Sequence, residues 1–193
     1  HGVLFSHTNS STIRNVNVSN NYWGICLYAA VNNIIENVTA TNNEYVGIQL
    51  YYSDNSEIRR SVANNTSSEG IRVYYSPGST VSDNVVANNR YGMYVYRSSG
   101  ITLRSNILVN NTYSFYVYGS NLSEFVNDVD ATNTVDGKPM YYCVSQRNLV
   151  VPSDAGYMAL VNCTNIKAKN LTLTKNYDGI LLAYTTNSTI TGN

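Results

Sequence analysis

Short apolar runs with a two-residue alternation return along this chain at a nearly fixed interval, each opening on a small residue. The heads are Gly2, Gly24, Gly47, Gly70 and Gly92, then Ser114 in the same role, then Gly156 and Gly179; the steps are 22 or 23 residues except for one of 42. Behind the heads stand Ile25-Cys26-Leu27-Tyr28, Ile48-Gln49-Leu50-Tyr51, Ile71-Arg72-Val73-Tyr74, Met93-Tyr94-Val95-Tyr96 and Phe115-Tyr116-Val117-Tyr118. Residues i and i+2 of a strand share a face, so the first and third members of each quartet are predicted to point inward and the other two outward. The expected core is continuous and comprises Ile25, Leu27, Ile48, Leu50, Ile71, Val73, Met93, Val95, Phe115, Val117, Leu160, Ile180 and Leu182. A second apolar cluster in mid-repeat, such as Ile13, Val16 and Val18 or Leu103, Ile107 and Leu108, supplies further short strands. Asn pairs at Asn20-Asn21, Asn42-Asn43, Asn64-Asn65, Asn88-Asn89 and Asn110-Asn111 mark corners, where Asn tolerates left-handed backbone and stacks into ladders.

A period in the twenties belongs to solenoids, because one unit cannot bury its apolar face without a stacked neighbour. No window sustains a helical i, i+3, i+4, i+7 pattern, and the leucine ladder of a leucine-rich repeat is missing. The chain is therefore read as all-β, a right-handed parallel β-helix of about 8–9 coils forming one domain over residues 1–193. At a coil spacing of roughly 4.8 Å the rod would be about 40 Å long. The 42-residue step between Ser114 and Gly156 marks an excursion, placed at residues 126–152, with stacking expected to resume at Gly156. Within it Asp136-Gly137 signals a tight turn and Pro139 an edge strand. Gly2-Val3-Leu4-Phe5 is already in repeat phase and Thr189–Asn193 stops in mid-turn, so neither end is expected to be capped.

Composition narrows the function. Charged residues make up 12% of the chain and cancel to zero, which removes the electrostatic case for binding nucleic acid. The longest apolar run, around Ile180-Leu181-Leu182-Ala183, is far too short to span a bilayer as a helix. Beginning at His1 without a leader, the sequence reads as a mature or excised piece. Among 29 asparagines, acceptor sequons begin at Asn9, Asn17, Asn37, Asn64, Asn65, Asn110, Asn121, Asn162, Asn170 and Asn187, which suits a glycosylated extracellular surface. Cys143 and Cys163 are 20 residues apart, about one coil, and are candidates for a disulfide; Cys26 reads as an outward packing residue.

Eighteen tyrosines stand against three phenylalanines and one tryptophan. Tyr28, Tyr51, Tyr74, Tyr96 and Tyr118 share one outward phase over five repeats, and Tyr94 and Tyr116 begin a second column. Such a flank can stabilise the sheet, offer sugars an aromatic platform, or join copies of the protein. Asp128 and Asp130 beside the excursion, with Asp136 and Asp154 further on, lack the His or Lys partners that acid–base chemistry needs, so no catalytic residue is assigned. His1, His7, Met93, Met140 and Met158 are scattered, so neither metal ligands nor a cofactor are expected.

The phrases Asn133–Tyr142, Ala155–Ile166 and Gly179–Ala183 resemble NosD-type β-helix proteins, within the wider group of carbohydrate-binding and sugar-hydrolase β-helices. Such repeats recur in secreted and cell-surface proteins of methanogenic archaea, and the likeness covers essentially the whole chain. It implies a place in the cell envelope, while the family name implies a periplasmic copper-maturation role. The expected function is a non-enzymatic envelope protein whose partner is itself, a homo-oligomer or polymer forming a layer, sheath or filament through open ends and the tyrosine flank. The alternative is a carbohydrate-binding surface module with glycans as partners, and the third reading is a polysaccharide lyase or hydrolase.

Overall fold

The computed structural model describes residues 1–193. Six long strands, Val3–Ser6, Trp23–Tyr28, Val46–Tyr51, Glu69–Tyr74, Tyr91–Tyr96 and Tyr113–Tyr118, stack in parallel as a first sheet. Between successive long strands the chain lays down two three-residue strands, for example Thr12–Arg14 and Asn17–Ser19, which build a second and a third sheet. The register runs Val3, Ile25, Ile48, Ile71, Met93, Phe115 down one inward column. With Ile35, Ile58 and Leu103 from the second sheet and Ala40, Val86 and Leu108 from the third, these side chains form a core of 31 buried residues. Each such Leu or Ile contributes about 1.5–3 kcal/mol by leaving water, and together they hold the three sheets as one parallel β-solenoid.

The corners are polar for a physical reason. Asn15, Asn37, Arg60, Asp83 and Ser105, joining the second sheet to the third, all take left-handed backbone with φ of 48° to 56°. Asn and Asp accept that region more readily than other side chains. Buried side chains then satisfy the backbone between coils. Ser53, Ser76 and Ser98 each accept the N–H of the equivalent residue one coil earlier at 2.9–3.2 Å, and Asn84 Nδ2 donates to Asn106 Oδ1 as Asn106 Nδ2 does to Asn133 Oδ1. The repeat-head glycines answer a close approach: a Cβ on Gly24 would stand 2.4 Å from the Gly47 carbonyl, and one on Gly92 2.4 Å from that of Ser114. Ser114 escapes the constraint because its strand is the last of the first sheet.

The break in the repeat overlaps residues 126–152 but has other bounds. After Tyr118 a helical turn, Leu122–Phe125, capped by Asn121, absorbs the additional residues. Asp128–Val129 and Thr134–Val135 still stack on Thr102–Leu103 and Ile107–Leu108, so the segment from Val126 to Val135 belongs to the regular coil. Departure comes at Asp136-Gly137, where both residues are left-handed (φ 46° and 80°) and Val135 pairs with Lys138 in a two-residue hairpin. Lys138–Val144 thus runs antiparallel to Thr134–Val135. Tyr157–Val161 and Ile180–Ala183 then stack on it in parallel as a second, shorter pile, rather than resuming on Tyr113–Tyr118.

This reversal corrects two further expectations. One face of the new pile carries Met140, Tyr142, Tyr157, Ala159, Val161 and Ala183 into the main core, with Tyr157 edge-on to Phe115 at 4.9 Å. The main stack is therefore covered at this end, not open. The other face carries Met158 and Leu160 into a second core of eight residues with Val151, Cys163 and Ile166. Of the expected single core, Ile25 through Val117 hold their places, Leu160 is buried in the second core, Ile180 is only half-buried, and Leu182 is 45% exposed. Leu160, four residues after Gly156, is in the outward phase of the earlier repeats, and for Ile180 and Leu182 the cause is a slip of one residue: Met158 pairs with Ile180, which sets Gly179 opposite Tyr157 and not opposite Gly156. A one-residue slip sends every side chain to the other face. A Cβ on Gly179 would meet nothing nearer than 4.0 Å, because, as for Ser114, its strand is the outermost of its pile and no further coil lies against it.

Candidate functional site

Outward residues of the first sheet form three columns that run across the strands. The right-hand column is Tyr28, Tyr51, Tyr74, Tyr96 and Tyr118 in successive register, with ring centroids 4.5–5.5 Å apart. Tyr74 on Tyr96 and Tyr96 on Tyr118 are stacked within 11° of parallel, so those faces cover one another and leave edges and hydroxyls to the solvent. The middle column reads Leu4, Cys26, Gln49, Arg72, Tyr94, Tyr116. The left-hand column includes Trp23, Glu69, Tyr91 and Tyr113.

Between the outer columns the middle one is the floor of a groove. Tyr45, Glu69, Arg72, Tyr74, Tyr91, Tyr94, Tyr96, Tyr116 and Tyr177 enclose about 380 Å³, within the range of small-molecule sites. The depression continues past Trp23, Gln49 and Tyr51 toward the first coil. At the far end the segment after Lys167–Lys169 crosses the last long strand, and Tyr177 places its ring 4.2 Å from Tyr116. Thus the second stack supplies one wall of a site built by the first.

Four polar atoms of the groove are buried without a hydrogen-bond partner: Gln49 Oε1 and Arg72 Nε in the floor, Trp23 Nε1 and Glu69 Oε2 in the left-hand column. Gln49 is 2% exposed and Glu69 8%. The Glu69 carboxylate has no cation within ion-pair distance, and Arg72 lies over the Tyr74 ring at 4.5 Å. Burial, reinforced by Tyr116, pushes the Tyr94 phenol well above its ordinary pKa, and burial raises Asp178 beside Tyr116. An unsatisfied buried polar group costs about 1–3 kcal/mol. A ligand bringing donors and acceptors into this groove would recover that cost.

Sequence reasoning found the tyrosine columns and missed the floor. Gln49 and Arg72 share one repeat phase, since position two after each repeat head turns from apolar to polar along the rod, while Glu69 sits just before its head, in register with Val46 and Tyr91. Tyr52 and Tyr75 were also missed; they occupy left-handed corners (φ 51° and 47°) beside the right-hand column and stack at 5.0 Å. The carboxylates singled out earlier lie elsewhere. Arg104 pairs with both Asp128 and Asp130, Lys175 with Asp136, and Asp154 accepts from the Tyr141 hydroxyl. Of the sequon asparagines, Asn9, Asn17, Asn37, Asn65, Asn110, Asn121, Asn162, Asn170 and Asn187 are exposed and Asn64 is half-buried. Several take corner duties: Asn37 donates to Asn15 Oδ1, and Asn110 to Asn88 Oδ1. Cys143 and Cys163 do lie on adjacent coils, but as free thiols, Cys163 Sγ standing 3.3 Å from the Cys143 carbonyl.

Stacked coils carrying a groove on one face define a parallel β-helix. The chain belongs to the NosD family, described as periplasmic copper-binding protein, whose model matches residues 1–141. Among solved structures it is similar to the A-module of the Azotobacter vinelandii mannuronan C-5 epimerase AlgE6, at TM-score 0.60 and 17% identity over 99% of this chain and 54% of that one. It is also similar to the periplasmic alginate epimerase AlgG, at TM-score 0.54 and 16% identity over 95% of this chain and 42% of that one. At such identities the likeness is one of fold, and the chain spans about half the length of those structures. No curated protein matches the sequence. No helix is long and apolar enough to cross a membrane.

Copper, implied by the family description, does not fit the donors present. Copper sites gather soft or imidazole ligands at one point. Here Met93 and Met140 are buried in the main core and Met158 in the second, while Cys26 Sγ accepts from Gln49 Nε2. His1 packs on Trp23, His7 pairs with Ser6, and no three His, Cys, Asp or Glu side chains converge.

Proposed function

We propose that the chain is a non-catalytic glycan-binding module of an envelope or secreted protein, with the first-sheet groove as its site. The observation that carries this reading is the set of unpartnered polar atoms on Trp23, Gln49, Glu69 and Arg72, held between aromatic walls. Sugars match such a surface, presenting hydroxyls in the ring plane and C–H groups on its faces. The strand spacing, roughly 4.8 Å, is close to the length of one sugar unit in an extended chain, so successive coils can meet successive units. The fold shared with two alginate epimerases agrees with a sugar as the class of ligand.

Calorimetric titration with oligosaccharide panels tests the proposal: Arg72→Ala should abolish binding of the ligand found, and Tyr94→Ala should weaken it tenfold or more. Absence of any glycan ligand would remove the reading. Self-association is the second reading, favoured by the 39–47% exposure of Tyr28, Tyr52 and Tyr118 beside the groove. Sedimentation at high concentration separates the two, since polymers that persist in the Arg72→Ala protein would place assembly outside the groove.

A further inference from the structure

We infer that the groove selects a neutral, hydroxyl-rich glycan over an acidic one. The inference rests on the glycan-binding reading and deepens it. Two charged side chains line the tyrosine-walled part of the groove, Glu69 and Arg72, and they cancel. More telling is the chemistry of the unpaired atoms. Glu69 Oε2 and Gln49 Oε1 can only accept hydrogen bonds, whereas Arg72 Nε and Trp23 Nε1 can only donate them.

Two acceptors and two donors are therefore spread over three neighbouring coils, with Glu69 and Arg72 on one strand, and a hydroxyl is the sugar group that serves both kinds. A uronate carboxylate would satisfy Arg72. It would also offer no hydrogen to Glu69 or Gln49 itself, and it would bring a second negative charge toward a carboxylate that has no cation of its own. An amino sugar fails the other way, satisfying Glu69 and confronting Arg72 with a like charge. Specificity of this kind arises because buried polar groups reject the ligand that leaves them unsatisfied.

The same walls agree with a neutral ligand. Arg72 is already engaged with the Tyr74 ring at 4.5 Å, which orients its guanidinium while leaving its Nε–H without a protein acceptor. Burial keeps the Tyr94 phenol protonated through the physiological range, so it meets a sugar hydroxyl as a neutral donor or acceptor.

The test is a titration of the whole chain with neutral hexasaccharides (gluco-, manno- and galacto-configured) and with hexamers of mannuronate and guluronate, repeated on Glu69→Gln and Arg72→Gln. A neutral hexamer should bind about tenfold or more tighter than either uronate hexamer, as one unsatisfied buried group implies. Glu69→Gln should weaken the neutral ligand about tenfold, an amide accepting a hydroxyl less strongly than a carboxylate, and should raise uronate affinity. Tighter binding of a uronate, lost in Arg72→Gln, would overturn this inference and leave the glycan reading standing. Binding of none of the hexamers would overturn both.

Discussion

Tyr142 shows at the scale of one residue how the two stacks are joined. Its ring lies in the main core and its hydroxyl donates to the Phe125 carbonyl, so burial, partly offset by Asn127, pushes its pKa up to about 12 from 10.0. Next to it, burial and then Cys163 raise the Cys143 thiol to about 11 from 9.0. Both folded values lie above the unfolded ones, so the stability they contribute is fully present below about pH 9 and is lost as pH rises through 11 and 12. At about 1.4 kcal/mol per unit, ionisation of Tyr142 removes on the order of 2 kcal/mol by the top of that window. Tyr142→Phe should lose about 1 kcal/mol at pH 8, where only the hydrogen bond is missing, and should fall less steeply between pH 10 and 12. Urea denaturation across that range measures both. Parallel curves for the two proteins would move the alkaline step to another residue.

Single strands depend on what stacks above and below them. A methyl group on Gly92 would stand 2.4 Å from the Ser114 carbonyl, backbone that cannot give way without shifting a coil, whereas one on Gly179 meets open space. Gly92→Ala should therefore destabilise by about 2 kcal/mol or more, the range of overpacked cores, and Gly179→Ala by less than about 0.5 kcal/mol, as at unconstrained surface sites. Melting curves of the pair check this; equal losses would show that backbone packs on Gly179 as it does on Gly92. The contrast also marks where the sequence speaks clearly. Period, strand phase and corners from Gly2 to Val117 were legible because each coil repeats the same local solution, and the Asp136-Gly137 hairpin because its backbone demands those residues. The reversal that follows was hidden: Gly-apolar-x-apolar at Gly156 and at Gly179 looks alike although the strands pair one residue out of step. Pairing partners are a long-range property that a local pattern does not carry. At the candidate site, the tyrosines stood out by number, while Gln49, Arg72 and Glu69 gained meaning only when the register aligned them between aromatic walls.

In the molecule as a whole, two cores of 31 and eight residues share one sheet, and each face of Tyr157–Val161 belongs to a different core. Solenoid stability is close to a sum of unit and nearest-neighbour terms, so damage should stay local except at that shared sheet. Leu50→Ala, in mid-stack, and Leu160→Ala, in the second core, should each cost about 2–4 kcal/mol, but they should open different parts of the chain. Hydrogen exchange should show Leu160→Ala loosening Lys138–Val144, Tyr157–Val161 and Ile180–Ala183 while Val46–Tyr51 and Glu69–Tyr74 stay protected. Tyr157→Ala should loosen both, because its ring is fully buried against Phe115. The groove feels the same coupling, since Tyr177 closes its end from a segment that the second stack holds in place and touches Tyr116 and Tyr113. Leu160→Ala should thus weaken glycan binding several-fold even though Leu160 lines no part of the groove, while Leu182→Ala, 45% exposed on the outermost strand, should leave both exchange and binding near wild type. Uniform exchange across both stacks in Leu160→Ala would show instead that the two piles unfold as one cooperative body.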